Sequence, residues 1–352
     1  MKRCQAIKHA AALAAFALAA TACGSAESSV SAESSAPTTV AATPDTTTST
    51  LEPVAAEVDC SDPEQVAVGL QTGSITSGNV EYDYQWTVPS SYDGAPLPVV
   101  LDFHGLGSTG KRQGEAVGWP EVAEAEGFIS VQPSGPAIPG VGLGWEVPQF
   151  DIDPELKDER DDVAMVPDLL DHLAANVCID RDRIYSTGFS MGAMFTSTLV
   201  CELGDVIAAV VTVAGLNHHD ECDPVRPVPF LAFHGTADTV TPMNGSKIFP
   251  EGTPERHFFE FEQIMPEELG QFADDFGCTE SVDSQVSESV ALTSYLGCDD
   301  DVEVGFYTIE GGGHTWPGST VFAETSGTGF TTMEIDATAI AWEFFERQSL
   351  PS

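Results

Sequence analysis

A mostly parallel β-sheet covered by helices on both faces is the fold this sequence predicts, and three observations predict it. Short, near-continuous apolar runs recur in "PLPVVLDFHG" (Pro96 to Gly105), "VIAAVVTVAG" (Val206 to Gly215) and "VPFLAFHG" (Val228 to Gly235). Strands buried on both faces read this way. Segments of helical spacing fall between them, the alternation of an α/β architecture. No repeat of about 20–50 residues is visible, which sets solenoids and propellers aside.

The elements follow in order. "EYDYQWTVP" (Glu81 to Pro89) alternates aromatic and polar residues, as a half-exposed strand does. Pro96 to Gly105 is a buried strand ending in glycine. "EVAEAEGF" (Glu121 to Phe128) ends a helix at Gly127, and "FISVQP" (Phe128 to Pro133) is a short strand. "DVAMVPDLLDHLAANV" (Asp162 to Val177) places Val166, Leu169, Leu170 and Leu173 on one helical face. Pro167 is tolerable there only near the first turn. "RIYSTGFSMG" (Arg183 to Gly192) is strand, then turn, and "AMFTSTLVCEL" continues as helix. "VEVGFYTIEGGGH" (Val302 to His314) is another strand, and Met333 to Gln348 is a closing amphipathic helix. Residues 58–352 read as a single catalytic domain.

What precedes that domain reads as an address. Lys2, Arg3 and Lys8 head a short apolar run from Ala10 to Ala20, too short to span a bilayer permanently. Residues 1–22 are thus expected to be an export signal. "ATAC" (Ala20 to Cys23) resembles a bacterial lipobox, which makes Cys23 the expected lipidation site; an ordinary signal-peptidase site fits "ATA" as well. Residues 23–57 are a Ser/Thr/Ala/Pro-rich tether that cannot bury enough apolar surface to fold. As a flexible chain it would span on the order of 30 Å. Any contact with a membrane is expected through the lipid alone.

The formal charge of −42 excludes a nucleic-acid partner, which would need basic patches. "DIDPELKDERDD" (Asp151 to Asp162) lacks the central glycine of an EF-hand loop. Beyond Cys4 and Cys23, six cysteines remain: Cys60, Cys178, Cys201, Cys222, Cys278 and Cys298. An even count in an exported chain points to disulfides rather than a metal. Cys278 and Cys298 bracket a polar insertion, and Cys201 and Cys222 bracket a strand. Pairing those leaves Cys60 with Cys178. "NHHDEC" (Asn217 to Cys222) is read as a solvated loop ending in a disulfide, and no metal is expected.

The chemistry starts at "GFSMG" (Gly188 to Gly192), a G-x-S-x-G motif between strand and helix, the context in which it has meaning. The tight turn requires small neighbours and pushes the Ser190 hydroxyl out of the sheet. A serine hydroxyl needs a base to take its proton. In the chain order serine, acid, histidine, "FHGTADTVTP" supplies Asp238 and "GGGHTWPG" supplies His314, each just past a strand. His104 and His234 precede glycines at strand ends and read as structural. Trp316, two residues past the base, and Trp145, in the Gly/Pro-rich loop "GVGLGWEVP", are candidate walls of a substrate pocket.

"LPVVLDFHG", "GFSMG", "FHGTAD", "GGGHTWPG" and "DATAIAWEFF" together resemble, in order and context, secreted polyhydroxybutyrate-depolymerase-like esterases, a group overlapping bacterial feruloyl and acetylxylan esterases. The resemblance covers roughly Tyr82 to Phe345. It implies an α/β-hydrolase fold, a carboxylic ester as substrate, no cofactor, and Ser190, His314 and Asp238 as the catalytic triad. It also implies an oxyanion hole from the backbone N–H groups of Met191 and Leu106. Leu106 departs from the cysteine often found after the HG pair, and no surface-binding domain follows the closing helix. Both departures point away from crystalline polymer. Acyl transfer on the same fold, peptide hydrolysis and non-catalytic surface binding are the rival expectations.

Overall fold

The computed structural model describes residues 60, 66–138, 142–148, 160–247, 260–261, 264–324 and 327–351. The expected export signal, Cys23 and the tether lie outside the described residues.

In chain order the elements are β1 (Gly69–Ser77), β2 (Val80–Val88), β3 (Leu97–Phe103), α1 (Gly110–Val117), α2 (Trp119–Glu126), β4 (Ile129–Pro133), β5 (Ala137–Ile138), β6 (Gly142–Leu143), α3 (Asp162–Ala174), β7 (Ile179–Phe189), α4 (Met191–Glu202), β8 (Ala209–Val213) and β9 (Phe230–Gly235). There follow β10 (Ser246–Lys247), β11 (Glu260–Phe261), α5 (Met265–Asp275), β12 (Glu280–Gln285), β13 (Val290–Leu296), β14 (Val304–Ile309), α6 (Thr320–Glu324) and α7 (Ala337–Phe345). One ten-stranded sheet runs β1-β2-β4-β3-β7-β8-β9-β14-β13-β12. Its centre, β4 through β14, is parallel, and the pairs at each edge are antiparallel. The apolar runs occupy the parallel centre, where helices cover both faces and β8 and β9 are buried along their whole length.

The two faces hold separate cores. Met165 and Leu169 of α3, Phe195 and Leu199 of α4, and Phe272 of α5 fill one. Trp119 of α2 and Trp342 and Phe345 of α7 fill the other, where Phe128 stacks on Trp342 with centroids 3.9 Å apart.

The helix ends follow their capping chemistry. Asp161 caps α3 by accepting from the Ala164 N–H at 2.9 Å, and Gly127 stops α2 at φ 82°. The closing helix starts at Ala337 rather than Met333, because Asp336 accepts from the N–H groups of Thr338 and Ala339. Pro167 lies inside α3, beyond the first turn expected for it; α3 keeps its course with one backbone donor fewer.

Several segments carried no readable signal. β1 is an edge strand whose Leu70 faces solvent, α5 went unread, and the polar insertion between Cys278 and Cys298 is the hairpin β12–β13. Every residue of β12 is exposed, so it has no buried face to produce alternation, and its charges suit an open sheet edge. Disulfides join Cys60 to Cys178, Cys201 to Cys222 and Cys278 to Cys298, the pairing expected from the sequence. Each contributes about 2–4 kcal/mol by restricting the unfolded chain, and such bridges belong to chains that leave the reducing cytosol.

Candidate active site

Five neighbouring parallel strands, β3, β7, β8, β9 and β14, end side by side, and four of them each deliver one part of the site. β3 leads into His104 to Leu106, β7 into Ser190, β9 into Asp238 and β14 into His314. Their last residues are in register, Phe103 with Gly188, Phe189 with Val213, and Gly235 with Ile309. Loops at the carboxyl ends of such strands open on a common crevice.

Ser190 sits at φ 56° and ψ −119°, a conformation that L-residues avoid. It is held there by its N–H, which donates to the Val213 carbonyl at 2.9 Å, and by its carbonyl, which accepts from the Ala193 and Met194 N–H groups. The flanking glycines are required by space. A Cβ on Gly188 would lie 2.3 Å from the Gly192 oxygen, and one on Gly192 would lie 2.0 Å from the Phe103 oxygen.

His314 and Asp238 form a buried pair, with Nδ1 2.7 Å from Oδ2. The Asp238 carboxylate also accepts from the N–H groups of Val240 and Thr241 at 2.8 and 2.9 Å. Burial pushes this carboxyl up, but the hydrogen bond and charge of His314, the charge of His234 and the Thr241 N–H outweigh it. Asp238 is held below the ordinary carboxylate value. The Thr241 hydroxyl lies between Asp238 Oδ2 (3.0 Å), the Ala214 carbonyl (2.9 Å) and His314 Nδ1 (3.2 Å). Thr241 has no motif of its own, and its place in the clamp could not be read from the chain.

The glycines before His314 serve packing more than torsion. Only Gly311 of the three has a positive φ, 71°. A Cβ on Gly312 would meet Ile309 Cγ2 at 2.7 Å and Gly235 Cα at 3.1 Å, and one on Gly313 would meet the Thr328 oxygen at 2.3 Å. The acid loop and the base loop therefore touch backbone to backbone. The Ala237 N–H donates to the Gly312 carbonyl at 2.9 Å, and the His314 N–H donates to the Thr328 carbonyl at 2.7 Å.

A cavity of about 720 Å³ opens over this arrangement, lined by both Ser190 and His314. Leu106 and Met191 line it too. Its apolar wall is Phe189, Met194, Val240, Val321 and Phe322, none of which stood out in the sequence. Trp145 and Trp316 are not among its lining residues. Both are fully buried: Trp145 stacks on Phe195 and donates to the His104 carbonyl at 2.9 Å, while Trp316 donates to Thr338 Oγ1 at 2.9 Å. Each acts as a pillar beneath a loop, because an indole that meets an acceptor inside the core has no cause to face the cavity.

The remaining histidines have other partners. Burial lowers His104 to about 4; the neutral ring donates from Nδ1 to the Gly105 carbonyl and accepts the Gly135 N–H at Nε2. Burial likewise lowers His234, whose Nε2 donates to the Thr241 carbonyl at 2.7 Å. Around Asn217 to Cys222, His218 and His219 lie near Cys201, Cys222 and Asp275, but both sulfurs are spent on a disulfide. Asp102, buried beneath α1, accepts from Gln113 Nε2 at 2.9 Å through Oδ1, while Oδ2 has no partner. Burial pushes its carboxyl up to about 8. Gln113 also lines the cavity.

Comparison with known proteins agrees with this fold. The sequence profile of the phospholipase/carboxylesterase family matches residues 90–253. The Nocardia uniformis subsp. tsuyamanensis protein bearing the esterase name NocK is 29% identical over 73% of this chain and 75% of its own length. Feruloyl esterase B of Piromyces equi is 28% identical over 75% of this chain, and the match covers 44% of that protein. A bifunctional acetylxylan esterase/xylanase of Neocallimastix patriciarum, XynS20E, is 27% identical over 62% of this chain and 29% of its own length. The chain thus spans less than half of these two longer relatives. Among solved structures, an acetyl xylan esterase from Aspergillus awamori superposes with a TM-score of 0.52 at 16% identity, over 78% of this chain and 99% of that one.

Proposed function

We propose that this chain, a carboxylic ester hydrolase with the α/β-hydrolase fold, works through Ser190, His314 and Asp238 by way of an acyl-enzyme. One observation carries the reading. The buried 2.7 Å contact between His314 and Asp238 faces the same cavity as a serine on a strained strand-to-helix turn. His314 Nε2 takes the Ser190 proton as Oγ bonds to the ester carbonyl carbon. Asp238 fixes the ring tautomer and offsets the imidazolium charge. The carbonyl oxygen, now an anion, accepts from the N–H groups of Met191 and Leu106. His314 then returns the proton to the leaving alcohol as its C–O bond breaks. Water repeats the sequence and frees the acid.

The substrates we propose are feruloyl, acetyl or hydroxyalkanoate esters. The enzyme acts outside the cell, carried on a lipid at Cys23 or released. A panel of these esters, assayed with wild type and Ser190→Ala, tests the chemistry. Hydrolysis by wild type and none by Ser190→Ala is expected; a Ser190→Ala protein that still turns over esters refutes the assignment. Mass spectrometry of the mature N-terminus tests the anchor, which an unmodified Cys23 would rule out.

A further inference from the structure

We propose that Arg112 forms an anion subsite at the rim of the Ser190 cavity, so that the preferred esters carry a free carboxylate beside an apolar part. The proposal rests on the ester-hydrolase reading and adds the charge of the substrate to it.

The chain has 13 lysines and arginines against 55 acidic residues, so a cation is seldom left alone. Arg160, Arg181, Arg183 and Arg347 each hold a carboxylate at 2.7–2.9 Å. Lys111 lies 3.9 Å from Glu115, and Arg226 donates to backbone carbonyls of the chain. Beside these six, Arg112 has neither an ion pair nor a side-chain hydrogen bond among the described residues. Only its backbone N–H is engaged, with Thr109 Oγ1 at 3.3 Å.

Arg112, an exposed side chain, is among the residues that line the cavity holding Ser190 and His314. It stands in the first turn of α1, which in this acidic chain contains no acidic residue. The helix N-terminus adds positive potential at the same place. Glu115 lines the cavity as well and lies 3.9 Å from Lys111 in an exposed ion pair. The acidic surface repels anions at long range, so an anionic group can be held here only by a local, directional contact. A planar guanidinium provides one, through paired N–H donors that match a carboxylate. Phe189, Met194, Val321 and Phe322 supply the apolar part of the same cavity. An ester with one apolar segment and one carboxylate satisfies both.

Two matched pairs of esters test this and locate the carboxylate. The 4-nitrophenyl monoester of glutaric acid and its neutral glutaramate counterpart place it on the acyl side. The butyrate esters of 4-hydroxybenzoate and 4-hydroxybenzamide place it on the alcohol side. The readout is the anionic-to-neutral ratio of kcat/KM within each enzyme, so a general loss of active protein cancels. In Arg112→Gln the ratio should fall about three- to tenfold, mainly through KM. Arg112→Lys should keep part of it, and the pair that responds identifies the side. A ratio equal to wild type in both pairs, with all four esters turned over, overturns the subsite and leaves the ester-hydrolase reading standing. Wild type that hydrolyses none of the four overturns both.

Discussion

Replacing Asp102 by Asn should make the protein more stable, and increasingly so as pH rises. Asp102 is buried beneath α1 with one hydrogen bond, from Gln113, and one oxygen without a partner. Burial pushes its carboxyl from 3.8 up to about 8, so at pH 7 the folded chain keeps a proton that the unfolded chain releases. The group's contribution to stability is therefore largest below the unfolded value and declines as pH climbs toward the folded one. Each pH unit within that window removes about 1.4 kcal/mol, so going from pH 5 to pH 7 removes about 3 kcal/mol. Asn keeps the shape and the acceptor for Gln113 but has no proton to lose. The wild-type-to-variant gap in Tm should widen by about 5–10 °C over those two units, at roughly 2–4 °C per kcal/mol for a domain of this size. Thermal unfolding of both proteins at pH 5, 6 and 7 measures it. All other titrations are shared and drop out of the difference. A gap that is constant or shrinks would mean that Asp102 is ionised in the fold and that an unseen partner holds its charge.

Asp238→Asn should fold and lose about 10⁴ in kcat, since the amide favours the wrong imidazole tautomer; retention of more than a tenth of the rate in an ester assay would contradict the clamp. Asp238 is held below the ordinary carboxylate value, so its stabilising effect is complete above that value and lost as pH falls through it. The stability gap between wild type and Asp238→Asn should accordingly narrow in denaturant titrations as pH falls below the ordinary carboxylate value. Gly312→Val should cut turnover without touching a reacting group, because its side chain would have to displace Ile309 and Gly235; full activity would show that the acid and base loops need not touch. With a formal charge of −42, Tm should rise between dilute buffer and about 0.5 M NaCl as self-repulsion is screened, and a flat or falling Tm would count against it.

Much of the fold was legible because its central strands are buried on both faces and so read as apolar runs. β12 was not legible for the converse reason, as none of its residues is buried. Ser190, Asp238 and His314 could be singled out because their chemistry requires small residues close by and a fixed chain order. Thr241 and Phe322 could not, since a threonine hydroxyl or an apolar wall can be supplied from many positions. The tryptophans show the opposite hazard: Trp316 lies two residues past His314 and Trp145 in a Gly/Pro-rich loop, yet each indole found an acceptor inside the core. At Gly312 the residue type was informative while the physical reason differed. Proximity to Gly235, rather than a positive φ, excludes a side chain there.

The backbone contact between Gly235 and Gly312 divides the cavity into two kinds of surface. Asp238 and His314 hang from loops that touch directly, so neither can shift without its partner, and the proposed proton-transfer apparatus forms one rigid fitting. Arg112, Val321 and Phe322 stand on α1 and α6, outside that fitting, and present side chains whose size and charge can be exchanged independently. A saturation library confined to these three positions should yield enzymes that differ in the esters they accept while sharing one intrinsic chemical step.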